Sequence, residues 1–132
     1  MKFFLTIPII FFAAFSFADI SGKVIKVTDG DTINIRDHDD KTLNIRLAGI
    51  DAPEMSQPYG KESRSHLLGL IHGKEVVIET KKKDRYGRII GTVYHDGKDV
   101  NLIQVQAGMA WWYEYYKDQQ SPEDQLLYST AH

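Results

Sequence analysis

The chain has 132 residues, 42% hydrophobic and 26% charged, which fits one soluble globular domain and excludes an intrinsically disordered chain. It has no cysteine, so disulfide scaffolds, thiolate metal sites and cysteine nucleophiles are excluded. The formal charge is −2, so any grip on a polyanion must come from local arrangement and not from bulk positive charge.

Residues 1–18 carry the pattern of an export signal. Lys2 gives a positive start, residues 3–15 are apolar apart from Thr6, and Ser16-Phe17-Ala18 puts small residues where a signal peptidase reads. Cleavage near Ala18 is expected, leaving residues 19–132 as a secreted or periplasmic domain outside the membrane. The apolar run is too short for a comfortable bilayer span.

Residues 21–27 alternate and are rich in β-branched side chains, so they predict a strand. Asp29-Gly30 signals a turn, and residues 32–36 a second strand. After the polar stretch Asp37 to Asp40, residues 42–48 predict a third. Residues 51–60, with two prolines and a glycine, read as a loop. A helix is expected over 61–71, stopped by Gly73. Residues 75–80 and 88–94 predict two more strands, and Asp96-Gly97 a turn. Residues 100–107 predict a helix closed by Gly108 at the C′ position. Ser121 as N-cap, Pro122 at N1 and Asp124 at N3 open a last helix. Five short strands with two or three helices predict an α+β, mainly β, fold. A five-stranded OB-type barrel buries such strands without loose edges.

Three clusters could carry chemistry. Asp29-Gly30-Asp31-Thr32 places two carboxylates around a glycine, which suits a hard cation; the same tetrapeptide is also an ordinary hairpin turn. In Arg46-Leu-Ala-Gly-Ile-Asp51-Ala-Pro-Glu54, a strand arginine precedes two carboxylates on a loop that Pro53 stiffens. A surface ion-pair network is the bland alternative. The stretch from Lys81 to Arg88 sets Lys81, Lys82, Lys83, Arg85 and Arg88 around one acid, Asp84, with Tyr86 among them. That suits a phosphate-bearing strand, and equally a solvated turn. Arg88 opens the following strand, and its planar fork matches a phosphoryl group. The aromatic run Trp111-Trp112-Tyr113-Glu114-Tyr115-Tyr116 reads as barrel-end packing or a base-stacking wall. No HExxH, GxSxG or Walker loop occurs, and the five histidines share no ligand spacing.

In order, Val27-Thr-Asp-Gly-Asp-Thr32, Arg46 to Glu54, Tyr59-Gly60 with Glu62, Asp84-Arg-Tyr-Gly-Arg88, Val100-Asn101 and Gly108-Met-Ala110 resemble the staphylococcal nuclease family. The resemblance implies an OB-fold barrel and a calcium-dependent phosphodiesterase acting on DNA and RNA, with single strands preferred. It implies Asp31, Asp51 and the backbone carbonyl of Ala52 as Ca2+ ligands, and Arg46, Glu54 and Arg88 as the catalytic set. Arg85, Tyr86, Tyr116, Lys82 and Lys83 are implied as substrate contacts. It implies products with 3′-phosphates, a monomer and no stable protein partner. Two departures stand out: the segment after Glu54 is shorter than in the family, and the last helix stops earlier, so a marginal C-terminal helix is expected. The alternative readings are a related nucleic-acid-binding module without turnover, and an exported barrel that binds some other anion.

Overall fold

The computed structural model describes residues 19–113 and 120–131. The export segment and Tyr116 lie outside the described residues.

The elements in chain order are β1 (Asp19–Asp29), β2 (Thr32–Asp37), β3 (Thr42–Leu47), β4 (Ile50–Asp51), α1 (Gly60–Ile71), β5 (Glu75–Lys83), β6 (Ile89–His95), β7 (Lys98–Asp99), α2 (Val100–Gln106), β8 (Trp111–Trp112) and α3 (Pro122–Ala131). Five strands close into a barrel in the order β3-β2-β1-β5-β6. The last neighbour pair, β3 with β6, is parallel, and every other pair in the barrel wall is antiparallel. The expected OB-type barrel is therefore present, with three helices among the described residues.

Closure depends on β1. Its first residues pair with β5 and its later ones with β2, and register shifts at Val24/Lys26 and Val27/Asp29 bend it between the two. Alternation then fills the barrel. Val24, Val27, Ile33, Ile35, Ile45, Leu47, Ile78 and Val93 are all buried, and Leu67 and Ile71 of α1 join the same core.

The helices brace the wall that carries the site. Asp99 caps α2 by accepting from Leu102 N at 2.9 Å. The Asn101 amide on α2 donates to the carbonyls of Ala48 (3.0 Å) and Gly91 (3.2 Å) and accepts from Val93 N (3.0 Å). It thus bolts the end of β3 to β6. On α3, Ser121 Oγ accepts from Asp124 N as its cap, and Tyr128 is fully buried, its hydroxyl donating to Asp99 at 2.7 Å.

Three expectations need correction. Lys81, Lys82 and Lys83 do not form a turn: β5 continues through them, with Lys82 and Lys83 opposite Ile90 and Ile89. A register shift at Thr80/Lys82 lets the ladder continue through Lys82 and Lys83, which the run's polarity masks in the sequence. Arg88 does not open β6, which starts at Ile89; it closes the turn, its carbonyl accepting from Asp84 N at 2.9 Å. Asp51, the first residue of the stretch read as a loop, instead forms a two-residue strand with Ile50, the two pairing Trp111 and Trp112 of the aromatic run.

Candidate active site

Asp31 occupies the β1–β2 turn with its carboxylate almost fully buried. Its Oδ1 accepts from the Thr32 hydroxyl (2.9 Å) and its Oδ2 from Ala52 N (2.8 Å). The neighbouring Asp29 accepts from Asp31 N at 3.1 Å. Gly30 between them is obligatory for packing. A Cβ there would collide with Ser63 of α1 and with Ala52, the residue whose N–H holds Asp31.

Arg46 stands on β3, opposite Thr32 across the ladder. Its Nη1 donates to Leu47 O at 2.8 Å, and its Nη2 lies 3.4 Å from Asp31 and 3.7 Å from Asp51. Asp51 is placed by β4, whose ladder to β8 fixes a segment too short to hold itself. One guanidinium therefore serves a crowd of carboxylates, and it does not satisfy them. Burial first, then hydrogen bonding and repulsion from Asp31, push Asp29 up to about 6. Burial, Asp31 and Glu54 likewise raise Asp51 against the pull of Arg46.

That deficit is the test for a cation. Asp31 and Asp51 offer hard oxygen donors, and their excess negative charge fits a hard divalent ion. Among the described residues no three acidic or histidine side chains cluster closely enough to hold a metal, so backbone carbonyl and water oxygens would complete the shell.

Arg88 reaches the same region from the turn that leads into β6, the strand paired with β3. Its Nε donates to Asp84 Oδ2 at 2.7 Å, while Asp84 Oδ1 accepts from the backbone N–H of Tyr86 and of Arg88, both at 2.9 Å. Desolvation would raise the Asp84 carboxyl, but these donors and the Arg88 charge outweigh it and hold it below the usual range. The Tyr86 ring is exposed, with the guanidinium carbons of Arg85 and Arg88 at 5.2 and 5.8 Å from its centre.

Arg46, Asp51, Lys82, Arg85, Tyr86 and Arg88 line one open pocket of about 350 Å³. The fold thus brings together both arginines, one expected ion ligand and three expected substrate contacts. Asp31 sits beneath Arg46, and Lys83 lies on β5 outside the lining. Glu54 is also outside it, exposed on the loop after Pro53. Its N–H donates to Gln57 Oε1 (2.8 Å) and its carbonyl accepts from Gln57 N (2.9 Å).

Two pocket residues were named in the sequence only as members of a run, with no site role of their own. Tyr113 lines the pocket beside Asp51, a placement set by the bond from its N–H to Gly49 O at 2.9 Å. Asp84 anchors Arg88, and its spacing of four residues across a Gly-containing turn was the available signal.

Comparison with known proteins agrees with this arrangement. Residues 44–132 match the family described as staphylococcal nuclease homologue. An uncharacterised endonuclease of Escherichia coli is 50% identical over 100 residues, covering 75% of this chain and 65% of the relative. A micrococcal nuclease of Shigella flexneri is 40% identical over 122 residues, covering 86% and 68%. An uncharacterised endonuclease of Haemophilus influenzae is 43% identical over 94 residues, 71% of this chain and 53% of the relative. The chain spans between about half and two thirds of these relatives' length.

Proposed function

Because this chain belongs to the staphylococcal nuclease homologue family, we propose that it is a nuclease, a hydrolase that cleaves phosphodiester bonds in DNA and RNA with the help of calcium. The observation that carries the reading is the convergence of Arg46, Asp51 and Arg88 on one open pocket beside the buried Asp31. In the proposed complex, Asp31, Asp51 and the Ala52 carbonyl hold the ion. A bound Ca2+ supplies electrostatic stabilisation for negative charge growing on the phosphoryl oxygens.

The protein's own groups do the rest. Arg46 and Arg88 present fixed guanidinium forks to those oxygens from two sides. Glu54 orients the attacking water and accepts its proton. The bond from phosphorus to the 5′ oxygen breaks, the leaving 5′ oxygen takes a proton from solvent, and a 3′-phosphate remains. Lys82 and Arg85 face the strand's phosphates, Lys83 adds positive charge from outside the lining, and Tyr86 and Tyr116 contact its nucleotides. Single strands are the preferred substrate, since splayed bases can reach the exposed Tyr86 ring. The protein acts as a monomer. Export guided by residues 1–18 belongs to the same proposal.

The test is cleavage of single-stranded DNA and of RNA by the purified protein, with calcium and with chelator. Activity that needs calcium is expected. Glu54→Gln should lower kcat by roughly 10²–10⁴-fold while oligonucleotide binding persists. Undiminished cleavage by that variant removes Glu54 from its role. Binding without turnover in folded, calcium-loaded protein establishes the binding-module reading instead.

A further inference from the structure

A second hollow lies beside the arginine pocket. It is a shallow groove of about 280 Å³ lined by Pro53, Gln57, Pro58, Tyr59, Gly108 and Trp111. The two hollows share no lining residue but meet at the β4–β8 pair, where Asp51 lines one and its ladder partner Trp111 the other. Pro53 lines the groove and Glu54 follows it directly. A strand leaving the arginine pocket along the β4–β8 pair would meet this groove next.

The lining chooses the ligand class. Among the described residues none of its side chains is charged, so they offer a phosphate no ionic partner there. Tyr59 is 74% exposed and Trp111 is 44% exposed, a solvent-facing aromatic pair edged by prolines. The volume is just below the range of about 300–1,000 Å³ typical of drug-sized ligands, which suits one flat ring system. Among the described residues, Met55, Tyr59, Tyr86, Trp111 and Tyr113 are five of the eight exposed large hydrophobic side chains. All five belong to the walls of these two hollows or to the loop between Pro53 and Gln57.

The presentation of Tyr59 is enforced. Its backbone has φ +66°, ψ 3°, the left-handed region that a ring-bearing residue adopts when the surroundings hold it there. Its carbonyl accepts from Ser63 N at 2.9 Å, and Gly60 N donates to Gln57 O at 3.1 Å. Gly60 packs so tightly on the Glu54 carbonyl that a Cβ would collide with it. One compact loop thus sets Glu54 and Tyr59 in fixed relation.

We propose that this groove is a nucleobase subsite: the base next to the scissile phosphate, on the side away from Tyr86, stacks on Trp111 and Tyr59. The proposal rests on the nuclease reading and adds a second contact region to it. Stacking reads a ring face, which every base has, so the subsite discriminates weakly among bases. The oxygen of Gln57, the one lining amide side chain, is already committed to Glu54 N.

The test uses a thymidine hexamer whose linkages are blocked as methylphosphonates except the central phosphodiester. Two further hexamers carry an abasic residue on one or the other side of that phosphate. For the intact hexamer, Trp111→Ala should lower kcat/KM roughly tenfold, and Trp111→Phe should restore most of it. Wild type should lose a similar factor on one of the two abasic hexamers, and Trp111→Ala should add no further loss there. An equal loss on all three substrates would mean that Trp111 only places Asp51, and it overturns the subsite. So does no loss at all. If wild type cleaves none of them, the nuclease reading has failed by itself. The subsite is then judged on the same three hexamers by fluorescence anisotropy with calcium, where the same pattern in Kd supports it and a uniform Kd overturns it.

Discussion

Arg46 and Arg88 face one pocket, but they are held by different means and in opposite electrostatic settings. Arg46 grows from a barrel strand and pairs at longer range with two carboxylates that also repel each other. Arg88 grows from a surface turn and has one carboxylate, Asp84, that is otherwise satisfied by backbone N–H groups. The acids respond accordingly: Asp29 and Asp51 are raised near Arg46, and Asp84 is lowered near Arg88. The Arg46 side is short of positive charge and the Arg88 side is balanced. The calcium proposed above would belong to the first side, where Arg46 partly offsets the acids.

The sharpest way to break this contrast is to remove each arginine. Arg46→Ala and Arg88→Ala should each lower kcat by about 10²–10³-fold, the usual effect of losing one preorganised donor to a developing anion. Their effects on calcium should differ. Arg46→Ala removes a cation beside Asp31 and Asp51 and should tighten calcium binding severalfold, while Arg88→Ala should leave it unchanged. Isothermal titration separates the two, and equal calcium affinities would erase the distinction.

The second prediction concerns what holds the Arg46 wall. Tyr128 donates to both oxygens of Asp99, which caps α2, and α2 through Asn101 ties Ala48 to Gly91. Burial raises Asp99 despite these donors, and burial with the Asp99 charge raises Tyr128 well above the usual phenol range. Tyr128→Phe should lower the free energy of unfolding by about 2 kcal/mol near neutral pH, with kcat unchanged. A carboxyl whose folded value lies above its unfolded one carries its penalty above the folded value and none below the unfolded one. The deficit of Tyr128→Phe should therefore shrink as pH falls toward 4. Denaturant melts at two pH values check it.

A smaller effect is expected on the Arg88 side. Asp84→Ala removes the acceptor that aims Arg88 and should lower kcat/KM roughly tenfold through misplacement alone. Because the turn is local, calcium affinity and thermal stability should hardly move. A loss of stability comparable to that of Tyr128→Phe would show that the turn is part of the barrel's cooperative unit.

The same contrast explains what the sequence made legible. Asp31, Arg46 and Asp51 are tied to strand alternation and to turns with strong chemistry, so their convergence follows once the barrel closes. The barrel itself was readable from its period-two runs. The β4–β8 pair was not, because two residues have no period and their partner lies sixty residues away in the chain. The lysine run misled for a related reason: charge suggested a turn, but cross-strand pairing with Ile89 and Ile90 kept the residues in β5. The exposed position of Glu54, outside the pocket lining, also depends on a loop closed by Gln57 and Gly60, which no local pattern announces.

The finest test of the charge deficit is Asp29, because it lies beside the ion site and is not one of the proposed ligands. Its folded value, about 6, lies above the ordinary 3.8. Below pH 4 it is protonated in both states and costs nothing. Between the two values the folded form keeps a proton that the unfolded chain releases, so stability is lost as pH rises. Above about 6 both states are ionised and the folded one carries the full cost of burying that charge, with the repulsion from Asp31 added to it. Asp29→Asn keeps the oxygen that accepts from Asp31 N and removes the charge. In calcium-free buffer, the Tm of the variant relative to wild type should therefore climb between pH 4 and 7 and then level off. Calcium should narrow that gap, since the ion supplies the positive charge that the variant no longer needs. A gap that stays constant with pH would mean that Arg46 already balances the acids and that this side has no vacancy of charge for a cation to fill.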